Sequence, residues 1–331
     1  MFNVQTPQGI FRRYIFWLRY DGSRFPEMAT NVRGCGVVDT MQKCIAYIAG
    51  DAGNLTRVSP SSRTDSGVHA IKTPIIAHVP IIDGIGLDDT IEIKERNIKK
   101  ANAILDKIDP GAANLWNFQS VHPGFCSRRH VEYRRYVYRL VVPRSMETYL
   151  EKPSLPLISE MKYSWILPPT FSVERADAAC KKLQGVHNMA SFFKHRSRDR
   201  HLDAFENTTK WLRHVGITRG EGYNMHSTDC DYYNVTVVSR SFVREQIRRM
   251  VAVIASHAIG RLPLRDIDWL LRTPHPANFF AIAGMKAAPP NGLFLADVSY
   301  DPASFVDPLP RYVHPWDVSD AKRVQFPPLD D

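Results

Sequence analysis

Ser61-Ser-Arg-Thr-Asp-Ser-Gly-Val-His-Ala70 gathers an arginine (Arg63), a carboxylate (Asp65) and a histidine (His69) around one glycine, Gly67. Glycine tolerates positive φ, so the chain can turn sharply there and aim Asp65 outward. A β-branched run follows, with Ile71, Ile75, Ile76 and Val79, which sets the turn on a framework of strands. Taken alone, Asp-Ser-Gly is an ordinary turn. Two segments far along the chain lift it above that.

The first is Glu132-Tyr-Arg-Arg-Tyr-Val-Tyr-Arg-Leu-Val-Val142. As a strand it places Arg134, Tyr136, Tyr138, Leu140 and Val142 on one face, with Tyr133, Arg135, Val137 and Arg139 on the other. An aromatic ring on a sheet beside arginines suits stacking on a nucleobase. The plain alternative is a half-buried strand whose tyrosines pack the core and whose arginines face solvent. The second is Phe242-Val-Arg-Glu-Gln-Ile-Arg-Arg-Met-Val-Ala252, whose spacing predicts a helix over Val243–Ile259, stopped by Gly260. Val243, Ile247, Met250, Val251 and Ile254 form its apolar stripe, and Ala252 and Ala255 let another backbone come close. Arg244 and Arg248 are i,i+4 neighbours. Arg248, at the stripe's edge, is expected to be half-buried and to need a carboxylate, for which Asp65 is the candidate. The plain alternative is a solvated basic face.

The chain has 331 residues, enough for one large or two ordinary domains; 44% are hydrophobic and 23% charged, a globular balance. No apolar run reaches the roughly 18 residues of a membrane span. The net charge of +9 favours a polyanionic partner, most simply nucleic acid. Lys194-His-Arg-Ser-Arg-Asp-Arg-His201 is a basic loop suited to phosphate, or else a solvated insertion. Cys35, Cys44, Cys126, Cys180 and Cys230 are scattered without C-x-x-C, which argues against a disulfide framework and fits a reducing compartment. Cys126/His130 and His226/Cys230 have i,i+4 spacing, but a metal site from either would need a helix and further ligands, and Cys126–His130 runs into a strand-like pattern, so no metal site is expected.

The remaining pattern alternates strands and helices. Strands are expected at Tyr14–Tyr20, near 75–80, and at 114–121, 132–143, 211–218 and 232–239; helices at Val37–Ala49, Ile91–Lys107 and Val173–Leu183. The order of strands and helices suggests an α+β fold in two halves, each a sheet covered by helices on one face. The expected divisions are an N-terminal half (13–143), a Pro-rich linker or insertion (144–170), a C-terminal half (171–300) and a Pro-rich tail (301–331).

These residues carry a family resemblance over most of 13–300. Arg63-Thr64-Asp65-x-Gly67-Val68-His69 resembles the catalytic signature of the tRNA pseudouridine synthase A (TruA) family. Tyr20-Asp21-Gly22-Ser23 is similar to the end of that family's first strand, and Gln42 to its first-helix glutamine. Phe125-x-x-Arg128 with Arg134-Arg135-Tyr136-x-Tyr138 resembles its second motif. Phe242-Val243 with Ile247-Arg248 and Val251 resembles the third, and Gly292-Leu293-Phe294-Leu295 through Val298 and Tyr300 the closing strand. The doubled serine before Arg63 and the closing Gly-Leu-Phe-Leu look most like the animal tRNA pseudouridine synthase-like 1 branch. There are departures. Phe25-Pro26-Glu27-Met28 stands where the family has Gly-Trp-Gln, Cys126-Ser127 where it has His-Ala, Ser66 replaces an alanine, and Arg244-Glu245 replaces a pair that often carries histidine.

The resemblance implies a two-domain fold of mixed, mostly antiparallel sheets with helices on one face and a central RNA-binding cleft, its N-terminal domain catalytic and its C-terminal domain completing the site. It also implies an isomerase that breaks the C1′–N1 bond of uridine, turns the base and rejoins it through C5. This involves no redox change and no energy input, so no cofactor is implied. Asp65 would act at the sugar, as nucleophile on C1′ or as base at C2′. Arg248 would keep Asp65 ionised against burial. Tyr136 would lie against the uracil, and Arg63 would fill the vacated stack. Arg128, Arg134 and Arg135 would hold phosphates. His69 is left a structural role. The implied partner is RNA, most simply tRNA, with no membrane; a homodimer is expected because bacterial members pair up. The branch implies mitochondria, with cytoplasm or nucleus as the alternative; the acid-free start with Arg12 and Arg13 points weakly the same way. Two competing functions are a catalytically silent RNA-binding or mitochondrial ribosome-assembly protein and a basic hydrolase using Asp65 and His69.

Overall fold

The computed structural model describes residues 3–6, 9–30, 33–53, 55–82, 86–87, 90–150, 158–195, 208–222 and 229–313. In chain order the strands and α-helices are β1 (Asn3–Thr6), β2 (Gly9–Tyr20), α1 (Val37–Ile48), β3 (Arg57–Pro60), β4 (His69–Pro80), α2 (Ile91–Ile108), β5 (Ala113–Ser120), β6 (Val131–Pro143), α3 (Met146–Leu150), α4 (Ile158–Met161), β7 (Trp165–Ile166), α5 (Val173–Leu183), β8 (Gly185–Asn188), β9 (Thr209–Leu212), β10 (His214–Arg219), β11 (Cys230–Ser239), α6 (Gln246–Ala258), α7 (Leu264–Arg272), α8 (Asn278–Ala281) and β12 (Leu293–Tyr300). The chain divides into two compact units. One comprises Met1–Glu132 with the segment from Leu295 onward; the other is Tyr133–Phe294.

In the first unit β2 is central. It pairs antiparallel with β4 on one side and with β1 and β5 on the other. β4 also pairs with β3 and neighbours β12. Helices α1 and α2 pack against each other and against β3, β4 and β5. Phe16 and Phe118 stack at 5.1 Å in the core. The side chain of Asn102 bonds both the N–H and the C=O of Leu115 at 2.8 Å, fixing α2 on β5. Trp17, Phe125 and Phe305 each meet the Tyr300 ring within 6 Å. Arg12 and Arg13, charged residues near the start, lie inside β2 and are 8% and 0% exposed, so they belong to the packed strand.

In the second unit β11 pairs antiparallel with β6 and β10, and β7 adds a short parallel partner to β6. Helix α5 packs on α6, α7 and β10. Its start is capped by Ser172, whose hydroxyl accepts the Arg175 N–H, and Ala176, Ala179, Cys180 and Leu183 form its buried stripe. The whole is mixed α and β, with mostly antiparallel strands.

Three details differ from the sequence expectation. The run expected as one strand over 211–218 is two, β9 and β10, because β9 pairs with β8 in a separate two-stranded sheet while β10 pairs with β11. The helix expected from Val243 begins at Gln246. There the Gln246 side chain accepts the Val243 N–H at 2.9 Å and Glu245 is left-handed, so Arg244 lies outside the helix that carries Arg248. The two units divide in sequence at Glu132/Tyr133 and Phe294/Leu295, whereas the expectation placed divisions at 143, 170 and 300. Of the basic run Lys194–His201, only Lys194 and His195 are among the described residues; Pro153, Pro156, His226, Pro315, Pro327 and Pro328 also lie outside them. Among the described residues no helix is long and apolar enough to cross a membrane.

Candidate active site

Asp65 sits at a tight turn between β3 and β4. Its carbonyl accepts the Val68 N–H at 3.2 Å, and Gly67 takes φ +79°. Asp65 is half-buried, Arg63 exposed and Val68 buried. The loop is held from beneath at several points. Tyr20 Oη and Thr64 Oγ1 lie 2.7 Å apart. Ser61, Ser127 and Tyr300 form a buried cluster, with Ser61 Oγ 2.7 Å from both the Ser127 carbonyl and Tyr300 Oη, and Tyr300 Oη 2.6 Å from that same carbonyl. His69, 2% exposed, presents Nδ1 to the Gly22 N–H at 3.1 Å and lies 3.0 Å from Asp21 Oδ1. A single ring nitrogen serves one of these at a time, accepting from Gly22 or donating to Asp21. Either way His69 fastens the end of β2 to the start of β4. Gly22 touches Val68 so closely that a methyl group there would overlap the Val68 carbonyl.

The departures from the resembled pattern are accommodated in this unit. Phe25 and Met28 are buried and, with Tyr20, Gly22, Glu27 and Val37, line a small hollow under Thr64–Val68. The Phe25 ring meets Tyr20 edge-on at 6.1 Å. Position 127 supplies a main-chain carbonyl to Ser61 and Tyr300, so its side-chain identity does not alter that contact. The Cys126 N–H goes to His130 Nδ1 at 2.9 Å, the ring's other nitrogen facing the Pro310 carbonyl. Among the described residues no three His, Cys, Asp or Glu side chains gather as a metal site would require. Arg128 is exposed, its Nε 3.5 Å from the Pro60 carbonyl, at the entrance to the Asp65 loop.

The other candidates lie in the second unit. Tyr136 on β6 is 8% exposed and packs edge-on against Phe242 at 5.3 Å. Tyr138, on the same face, is buried and donates to the Pro289 carbonyl at 2.7 Å. Burial pushes its phenol pKa up, and the nearby positive charge of Arg248 pulls against that rise. Arg134 is only 7% exposed and donates to the Arg240 carbonyl, which ties it into its own unit; Arg135 on the opposite face is exposed. Arg248 has a side chain 15% exposed. Its Nε donates to the Ala288 carbonyl at 2.8 Å and its Nη1 lies 3.8 Å from Glu245 Oε1.

Glu245 is the feature the sequence reading passed over. Its carboxylate accepts from Lys194 Nζ at 2.6 Å and from Arg249 Nη2 at 3.4 Å. Burial alone would raise its pKa, but the Lys194 hydrogen bond and charge, with Arg248 and Arg249, hold it below the ordinary glutamate value. The signal was present in the spacing, a carboxylate three and four residues before two arginines.

A family model described as tRNA pseudouridine synthase matches residues 179–301. The tRNA pseudouridine synthase-like 1 of Xenopus laevis is 30% identical over 297 residues, covering 87% of this chain and 91% of that protein. The chain belongs to the tRNA pseudouridine synthase family. Further relatives are the tRNA pseudouridine synthase-like 1 of Mus musculus, 26% identical over 298 residues, and the tRNA pseudouridine synthase A of Zymomonas mobilis, 25% identical over 288; they are covered to 94% and 99%, each against 87% of this chain. Pseudouridine synthases are isomerases, which sets the chemistry this chain's residues have to serve. The family match extends over both α6 and β12, and so includes Arg248 and the Tyr300 hydroxyl that braces the Asp65 loop.

Proposed function

We propose that this chain converts specific uridines of tRNA to pseudouridine, with Asp65 as the reacting carboxylate. The observation that supports this most is the Asp65 loop: a half-exposed acid at the tip of a turn, with Ser61, Thr64 and His69 around it held from below. Catalysis by a side chain depends on holding it in place before substrate arrives. In the reaction the N1–C1′ bond breaks, a C5–C1′ bond forms, the C5 hydrogen leaves to solvent and N1 gains a proton, so the sum is an isomerisation.

The family resemblance gives Tyr136 the base-holding role and Arg248 the task of keeping Asp65 ionised; both roles are part of this proposal. Tyr136 suits it, its ring already held nearly at right angles to that of Phe242. Arg63, Arg128 and Arg135, all exposed, are the proposed RNA contacts, acting through stacking and phosphate pairing. Arg134 is proposed to contribute by bracing the strand rather than by touching phosphate, since the Arg240 carbonyl already takes its guanidinium. A cleft that admits the tRNA, a homodimer and a mitochondrial location follow only from the likeness to the family and its animal branch. Subcellular fractionation and light scattering of the purified protein test the last two.

The deciding experiment uses tRNA tritiated at uridine C5. Wild type should release tritium, while Asp65→Asn should release none yet bind tRNA as tightly. Undiminished release by Asp65→Asn refutes the assignment. Absence of release by wild type on any tRNA, with binding intact, points instead to a silent RNA-binding protein.

A further inference from the structure

Trp211 is the most exposed tryptophan among the described residues, 58% exposed, and nothing proposed above uses it. It stands on β9 directly opposite Val186 of β8, itself 65% exposed. Alternation along β9 buries Lys210 and Leu212 and turns Thr209 and Trp211 outward. The two strands are fixed at several points. Ser239 Oγ donates to the Trp211 carbonyl at 2.8 Å, the Met189 N–H to the Thr208 carbonyl at 2.8 Å, and Thr208 Oγ1 to Asn188 Oδ1 at 2.8 Å. Ser239 is two residues along β11 from Val237, the register partner of Tyr136. The indole is therefore presented on an anchored backbone, in the unit that carries Tyr136.

A single exposed apolar side chain needs no explanation. Trp211 has a cation with it. The guanidinium carbon of Arg213 lies over the indole, 4.9 Å from its centroid, and Arg213 is exposed. Guanidinium and indole stacked in this way make one extended flat surface with a positive charge at its edge. β8 and β9 carry no carboxylate. The sequence between them contains the run Lys194–His201, where Lys194, Arg196, Arg198 and Arg200 outnumber Asp199, ahead of Asp203 and Glu206.

Area and charge separate two kinds of occupant. A stable protein interface buries about 800 Å² a side, far more than one indole and one isopropyl group supply. A single nucleobase matches one ring, and the cation beside it matches a phosphate. The base must be an unpaired one, because a base inside a helix already has neighbours on both faces.

We infer that Trp211 and Arg213 form a stacking platform for an unpaired nucleobase of the bound RNA, with Arg213 also meeting an adjacent phosphate. This rests on the tRNA ligand of the reading above, though not on its chemistry.

The test measures binding of unfractionated tRNA, across a range of salt, by full-length wild type, W211A, R213Q, V186D and V186K, with melting and light scattering of each. All three positions are exposed, so melting should stay near wild type. W211A should raise Kd about tenfold at every salt concentration without changing the salt slope, because stacking releases no counterions. R213Q should reduce that slope by about one. A charge at position 186, across from the ring, acts on phosphates without removing the platform, so V186D should weaken binding and V186K strengthen it. The inference is overturned if W211A binds within about twofold of wild type. It is also overturned by a wild-type dimer that W211A splits while tRNA binding is kept, which assigns the patch to a second copy. Should W211A melt early, the other variants decide: an unchanged slope in R213Q together with like effects of V186D and V186K then overturns it. Tritium release from C5-tritiated tRNA separates the two readings. Wild type that binds tRNA through Trp211 yet releases no tritium overturns the chemistry and upholds the platform. Wild type that releases tritium beside an equally tight-binding W211A overturns the platform alone.

Discussion

Gly22→Ala should disable the enzyme without touching any group that meets substrate. Gly22 is not in a left-handed conformation, so the added methyl costs nothing in backbone preference. Its cost is steric: the methyl would overlap the carbonyl of Val68 and sit 3.0 Å from the Val68 nitrogen. Both are main-chain atoms, so no side-chain rotation relieves the clash. Ordinary contact for such atoms is about 3.5 Å, so the loop must retreat by roughly 1.5 Å. Val68 is hydrogen-bonded to the Asp65 carbonyl, and the retreat carries Asp65 with it. Overpacking of this kind costs about 3 kcal/mol, and a displacement of about 1 Å at a reacting group costs about a hundredfold in kcat. In a thermal melt the same energy reads as a drop of about 6–12 °C. Gly50→Ala is the control. Gly50 has φ +68° with nothing within 4 Å, so alanine there strains the backbone by about 1 kcal/mol and leaves turnover intact. Gly22→Ala with wild-type melting and tritium release would refute the reasoning, as would equal activity losses in the two variants.

Glu160 is fully buried and receives Arg139 Nη2 at 2.9 Å, so Glu160→Ala should destabilise by about 3 kcal/mol in urea denaturation, while a neutral loss would show that Arg139 escapes to solvent. Arg248→Ala should abolish tritium release with tRNA binding largely kept; a folded and fully active variant would remove the proposed partnership with Asp65. Stability should also fall in acid through Glu245. Its folded pKa lies below the ordinary 4.5, so its contribution is complete above that value and is lost as pH drops through the folded pKa. Urea midpoints from about pH 6 to about pH 3 should therefore decline less steeply for Glu245→Gln than for wild type, and parallel curves would contradict the charge cluster.

Much of the architecture was written in local pattern. The alternating and aromatic runs at Tyr14–Tyr20 and Glu132–Val142 are strands, and α5 lies where Val173–Leu183 predicts it, because periodicity and caps are properties of neighbouring residues. The errors arose where a distant partner decides. Period two puts Arg134 and Tyr136 on one face of β6 but does not say which face is buried, so it gave no sign that Arg134 would donate to the Arg240 carbonyl. One β-prone run became β9 and β10 because two different strands claim its halves. The start of α6 was set by a single side chain, Gln246, reaching back to Val243. Asp65 stood out by its company of charged residues around a glycine. Its support did not, since Ser61 and Tyr300 meet across 239 positions of sequence.

That separation also bears on how the molecule is made. The first unit is assembled from both ends of the chain, and the second occupies the sequence in between. On a ribosome the whole of Tyr133–Phe294 emerges before β12 is complete, so the later unit has all its residues while the earlier one still lacks most of a strand. Until then β4 has no β12 beside it, Lys72 waits for Asp297 and Ser61 waits for Tyr300. Nascent chains halted before Leu293 should expose the first unit to proteolysis and leave the second resistant. The Asp65 loop becomes rigid only after the second unit has been made, which delays a competent active site until that unit has had time to fold.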